Sequence, residues 1–125
     1  MEKDSLAEVR HVPSVPAEPT SSGTALRVLT DATARRDLLV VHVSSPPGSG
    51  SPEGAHSHDF EKLLYVLAGT MGLDVAGRRS ELGPDSAVVI PPGVVHENWN
   101  AGPDELTFLA VAGPAIAGAA GKPAA

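Results

Sequence analysis

The sequence predicts an all-β domain of about eight strands, arranged as a jelly roll or closed barrel. Short apolar runs recur at hairpin spacing through the middle of the chain, and Gly and Pro cluster in the breaks between them. No stretch of useful length shows the 3.6-residue period of a helix. Gly (13) and Pro (12) together make up about a fifth of the 125 residues, against an ordinary background of roughly 12%.

The predicted strands follow in order. Ala25–Thr30 opens the set, and the Val-rich run Leu38–Ser44 ends at Pro46-Pro47-Gly48. Lys62–Leu67 stops at Ala68-Gly69, and Met71–Val75 and Arg78–Leu82 are separated by Ala76-Gly77 alone. Ala87–Ile90 lies between Gly83-Pro84-Asp85 and Pro91-Pro92-Gly93. His96–Asn100 ends at Ala101-Gly102-Pro103, and Leu106–Val111 closes the series. Residues 24–112 therefore form the expected barrel. Residues 1–23, with Pro13, Pro16 and Pro19, read as an extended or disordered arm, and residues 113–125 as an Ala/Gly-rich flexible tail.

Composition excludes several function classes. With no cysteine there are no disulfides, thiolate ligands or cysteine nucleophiles, so any metal must sit on nitrogen and oxygen. The net charge is −6 and no basic cluster exceeds Arg35-Arg36 or Arg78-Arg79, which argues against a nucleic-acid partner. No apolar run reaches the roughly 18 residues of a membrane span. The charged start Met1-Glu2-Lys3-Asp4 does not resemble a secretory leader, so the expected location is cytoplasmic.

The chemistry concentrates on histidines. In His56-Ser57-His58, alternate residues of an extended segment point the same way, so two imidazoles can enter one barrel. Imidazole suits Zn, Fe, Ni, Cu and, less strongly, Mn. His-x-His alone is a weak signal. Downstream, Pro91-Pro92-Gly93-Val94-Val95-His96 places a rigid turn before a further histidine, and His96, Asn98 and Asn100 share one strand face.

The segment from Ala55-His56-Ser57-His58 to Leu64-Tyr65-Val66-Leu67-Ala68-Gly69 resembles the first motif of the cupin superfamily. Pro91-Pro92-Gly93-Val94-Val95-His96-Glu97-Asn98-Trp99-Asn100 resembles the second, in the form Pro-x-Gly-x-x-His-x-x-x-Asn. The two in order, over about residues 25–112, are far more specific than either alone. The resemblance implies a small single-domain cupin: a double-stranded β-helix holding one divalent ion (Fe, Zn, Mn or Ni) on His56, His58 and His96, and often a homodimer.

There are two departures from the family pattern. The family places a metal-binding Glu seven residues before the motif's closing Gly, a position occupied here by Lys62, with Glu61 beside it. Strict alternation puts Lys62 on the His58 face and Glu61 outside, whereas a bulge would reverse them. The sequence thus leaves two readings open: Glu61 as a fourth ligand, or a three-histidine site with Lys62 nearby. Either residue could carry protons, and Lys62 could also anchor a substrate carboxylate. The second departure is Asp85, where the family usually has Gly; Asp tolerates left-handed backbone geometry well.

Asn98 is a candidate to present its amide to a ligand, while Asn100 is equally suited to a structural bond within its turn. His42 alternates with Leu38 and Val40 and is read as lining the barrel, a candidate substrate contact, although a core or surface role is the commoner one for such a histidine. With two Phe, one Tyr and one Trp, the pocket is expected to be lined by Val, Leu, Ala and Met71, suiting a small, partly apolar molecule. Tyr65 and Trp99 alternate away from the histidines and are expected outside the barrel. The expected function is a metal-dependent enzyme acting on a small organic molecule. Iron would favour dioxygenase (oxidoreductase) chemistry, and Zn, Mn or Ni would be compatible with an isomerase, cyclase, dehydratase or decarboxylase. The alternatives are a non-catalytic ligand-binding cupin and a structural one.

Overall fold

A computed structural model describes residues 9–30, 38–50 and 54–114. Nearly all of the expected C-terminal tail and the first eight residues of the arm lie outside the described residues. Among the described residues, one 3-10 turn, Val12–Ser14, precedes nine strands. These are β1 (Glu18–Pro19), β2 (Ala25–Val28), β3 (Leu39–Ser45), β4 (Phe60–Ala68), β5 (Met71–Val75), β6 (Arg78–Leu82), β7 (Ala87–Ile90), β8 (His96–Asn100) and β9 (Leu106–Pro114).

The strands form two antiparallel sheets, one of six strands in the order β1-β2-β3-β9-β4-β7 and one of three in the order β6-β5-β8. This is the jelly-roll arrangement expected from the strand spacing. Alternation directs Val43, Leu64, Val66, Ile90, Leu106 and Phe108 inward from the large sheet and Met71 and Leu73 from the small one, and together they form the buried core. Each such side chain contributes about 1.5–3 kcal/mol by leaving water. The outer strand β6 carries exposed Arg78, Arg79 and Glu81, charges that discourage further strand pairing at that edge.

The turns explain the short elements. Between β5 and β6, Ala76 (φ 53°) and Gly77 (φ 86°) are both left-handed, the geometry of a type I′ hairpin, and Asp74 Oδ1 accepts from the Gly77 N–H at 3.0 Å. Alanine is strained there, whereas Asn-Gly is the preferred pair. Ala76→Asn is expected to stabilise the protein by about 0.5–1 kcal/mol, read as a rise in Tm of a few degrees; a lower Tm would refute this account of the turn. Asp85 adopts φ 66°, so the expected left-handed turn exists with Asp in place of Gly. Its Oδ1 also accepts from the Tyr65 hydroxyl at 2.9 Å, a bond that raises the phenol pKa and ties β4 to the β6–β7 turn.

The indole of Trp99 fills the space a side chain at Gly72 would need, on the outer face of the small sheet. Arg79 lies over this ring at 5.1 Å and reaches Asp74 at 3.4 Å. The outward placement of Trp99 thus depends on glycine at its cross-strand partner.

Candidate metal centre

The histidine cluster assembles from the segment just before β4 and the start of β8. His56 and His96 face each other in an isolated antiparallel bridge, each backbone N–H donating to the other's carbonyl, at 2.9 and 2.8 Å. His58 is held separately, its carbonyl accepting from the Gly93 N–H at 2.7 Å. Gly93 stands at φ 82°, and the Val94 N–H donates back to the Pro91 carbonyl at 3.4 Å, so Pro92-Gly93 forms a type II corner. The proline-glycine turn before His96 therefore also secures His58.

One ligand atom from each of His56, His58 and His96 lies within 4.8 Å of the others. Ring centroids are 4.6 Å apart for His56–His96, 4.7 Å for His56–His58 and 5.3 Å for His58–His96. Phe60 stacks on His58 at 4.5 Å with the rings inclined by only 16°, which fixes the plane of that imidazole. The sequence reading missed Phe60, although the alternation that paired His56 with His58 also places residue 60 on their face.

The ring nitrogens are set for metal ligation. His56 Nδ1 lies 2.7 Å from the Gly54 carbonyl and His96 Nδ1 2.9 Å from the Val94 carbonyl. A carbonyl only accepts, so each Nδ1 carries the proton and each Nε2 presents a lone pair. Nε2 of His96 is buried and has no hydrogen-bond partner, a costly state for a polar atom that a cation would relieve. Backbone carbonyls behind ligating imidazoles are the usual means of fixing the tautomer. The three residues thus fit a divalent cation.

Burial pushes His96 below the ordinary value of 6.5; the bond to Val94 opposes this, and the charges of His56 and Lys62 add to the depression. In metal-free protein the unfolded chain therefore binds a proton at this ring near pH 6.5, the folded chain only at lower pH. The ring's contribution to stability is present above pH 6.5 and is lost as pH falls through the folded value. Denaturant unfolding of metal-free protein is expected to show this acid decline, and His96→Gln to flatten it. Equal pH profiles would refute it.

A cavity of about 200 Å³ reaches this centre at His56. Lys62 and Asn98 also line it, and its walls include Leu26, Val43, Leu64 and Phe108. Lys62 pairs with Ile90 and Ala112 and faces inward; Glu61 is exposed on the other face, outside the histidine cluster. β4 keeps its register between residues 60 and 66, and its irregularity falls later, between Val66 and Ala68. Glu61 is therefore not placed as a fourth ligand.

Asn100 is buried and fully engaged, donating to the carbonyls of Ser45 (2.9 Å) and Asp104 (2.8 Å) and accepting from the Gly102 N–H (2.9 Å). It locks the end of β8 and does not line the cavity. Two sequence expectations are corrected. His42 lies on the outer face of β3, because Val41, Val43 and Ser45 occupy the cavity side. Met71 is fully buried in the core and is not among the cavity-lining residues. The sequence reading also missed Thr24 and Ser45, hydroxyls 3.1 Å apart that line the cavity.

The antiparallel jelly roll brings together three histidines that could hold a metal ion. A family model described as the cupin domain matches residues 41–112, more than half of the chain and including all three histidines, and the chain belongs to this family. Among solved structures, the polyketide cyclase RemF from Streptomyces resistomycificus is 31% identical, with a TM-score of 0.73 over 86% of this chain and 79% of that one. A predicted oxalate decarboxylase from Thermotoga maritima superimposes with a TM-score of 0.81 at 22% identity, over 86% of this chain and 100% of that one, a likeness of fold alone. The uncharacterized HTH-type transcriptional regulator YobQ of Bacillus subtilis is 33% identical over 57 residues, 46% of this chain and 24% of that protein. The chain thus spans about a quarter of the length of this curated relative.

Proposed function

We propose that this cupin is a metal-dependent enzyme acting on a small organic molecule, with the ion held by His56, His58 and His96. The observation that carries the proposal is the convergence of these ligand atoms within 4.8 Å at a cavity lined by apolar side chains. A bound divalent ion supplies Lewis acidity, drawing electron density from a carbonyl or enolate oxygen of the substrate. The chain's own contribution is positioning: Gly54 and Val94 orient His56 and His96, and Phe60 orients His58. Lys62 and Asn98 place a cationic and an amide donor in the cavity wall. At about 200 Å³ the cavity is below the ~300–1,000 Å³ of drug-sized ligand sites, which favours a small substrate. Isomerase, cyclase and decarboxylase chemistry fit this arrangement, and the similarity to a polyketide cyclase favours the cyclase class among them.

The test is turnover against a panel of small carbonyl compounds and enols, with O₂ uptake followed in parallel. Activity that tracks metal content and disappears on chelation supports the proposal. Activity that survives chelation, or a protein that holds no ion, overturns it. A second reading, a non-catalytic ligand-binding module, is favoured by the match to part of a transcriptional regulator. Metal-dependent ligand binding without turnover would select it.

A further inference from the structure

The cavity that touches the histidine centre at His56 also reaches a group of buried hydroxyls. His96 and Asn100 are the first and last residues of β8, roughly 13 Å apart at the rise of an extended strand. At the Asn100 end, the side-chain amide donates to the Ser45 carbonyl and the backbone N–H donates to the Ser49 carbonyl. Thr24, Ser45 and Ser49 are all buried there, and Thr24 and Ser45 line the cavity. From Ser45 back along β3 and β9, the wall is hydrocarbon: Val43 beside Phe108, then Val41 beside Ala110.

Counting protons gives these hydroxyls a direction. The Ser49 hydroxyl donates to the Pro46 carbonyl at 2.7 Å, and the Thr24 hydroxyl donates to Ser49 Oγ at 3.4 Å. Ser45 Oγ lies 3.1 Å from Thr24 Oγ1. Each hydroxyl owns one proton. That of Thr24 is spent on Ser49, so the Ser45 proton goes to Thr24. Ser45 Oγ is left with lone pairs at the cavity wall and no proton to give. Asn100 does not compete, since its amide nitrogen and its oxygen are both engaged in the turn.

We infer that Ser45 Oγ accepts a hydrogen bond from a hydroxyl group of the ligand, at the end remote from the oxygen that meets the metal. The substrate class is then a small carbonyl compound with a distal hydroxyl, joined by a hydrocarbon stretch. The inference rests on the metal-centre reading above for the first of these two ends only. A ketone or carboxylate at the far end would set acceptor against acceptor. An ammonium would call for an anion, and among the described residues no aspartate or glutamate lines the cavity.

The test uses three hydroxamates that share a zinc-binding head and differ at the far end: 6-hydroxyhexanohydroxamate, heptanohydroxamate and 6-oxoheptanohydroxamate. Each is titrated calorimetrically into zinc-loaded full-length protein. The alcohol is expected to bind about five-fold more tightly than the methyl-ended probe, the worth of one neutral hydrogen bond, and the ketone more weakly than the alcohol. Ser45→Ala should abolish the preference for the alcohol while zinc content stays unchanged, a change that a purely structural hydroxyl would not produce. Thr24→Val releases the Ser45 proton, so the ketone should gain on the alcohol in that variant. Equal binding of alcohol and methyl probes, a ketone as tight as the alcohol in the wild-type protein, or an unaltered preference in Ser45→Ala would overturn the inference. The comparison of probes in the wild-type protein decides the matter even where a variant fails to fold. A protein that takes up no zinc would overturn the metal-centre reading instead. In that case 1-hexanol should still bind metal-free wild-type protein more tightly than Ser45→Ala, and equal binding would overturn this inference as well.

Discussion

Replacing His96 with alanine is expected to lower zinc affinity by more than about 100-fold, since loss of even an outer partner of a metal ligand typically costs 10–100-fold. The reasons converge on this residue. His96 is 2% exposed, its Nδ1 is committed to Val94, and its Nε2 has no hydrogen-bond partner of its own. Its backbone also bridges to His56, so the two imidazoles share a single anchorage. The affinity can be read by competition with a chromophoric chelator and the occupancy by elemental analysis. A second consequence follows from linkage: an ion that binds only the folded state raises its stability. Wild-type protein should therefore melt at a higher temperature in excess zinc, and His96→Ala should not. Undiminished metal content in the variant would remove the histidine triad as the binding site.

The second large effect is expected at Gly69. It holds φ 88°, and a Cβ there would lie 2.6 Å from the Glu105 carbonyl oxygen and 2.9 Å from the Leu106 Cα. Both neighbours are backbone and cannot swing aside. Left-handed strain costs an L-residue about 1–2 kcal/mol, and overpacking adds about 1–3 kcal/mol. Gly69→Ala should thus destabilise the protein by about 3 kcal/mol, a fall in Tm on the order of 10 °C. Gly93 provides the control: its φ is 82°, but nothing lies within 4 Å of the place a Cβ would occupy, so alanine there incurs the backbone strain alone. Comparable melting losses in the two variants would refute the steric contribution at Gly69.

The four strands Met71–Val75, Arg78–Leu82, Ala87–Ile90 and His96–Asn100 end where the sequence places them. There the flanking turns are short and built from Gly, Pro and Asp, so the chain has little freedom over where pairing stops. Strands β4 and β9 run beyond their expected limits, because each is extended by pairing with the other, from Phe60–Pro114 to Ala68–Thr107. Such pairing is a property of two segments and is invisible in either. The strand β1 escapes a sequence reading of the arm, since two residues, one of them Pro19, carry no period. Counting alternate residues places Lys62 correctly relative to His58, which works because no bulge intervenes. His42 shows the limit of the same rule. Alternation shows which residues share a face but not which face is inside, and in Leu-Leu-Val-Val-His-Val both phases are apolar.

The reciprocal bonds between His56 and His96 have a kinetic consequence. They join two segments separated in the chain by β4, the hairpin of β5 and β6, and β7. Bringing such distant segments together carries a loop-closure entropy that a folding chain meets late. An ion gripped across this junction therefore adds little to the transition state and acts chiefly on the finished barrel. Excess zinc should slow unfolding while leaving the refolding rate almost unchanged, so the ion would lengthen the lifetime of the native state without guiding its formation.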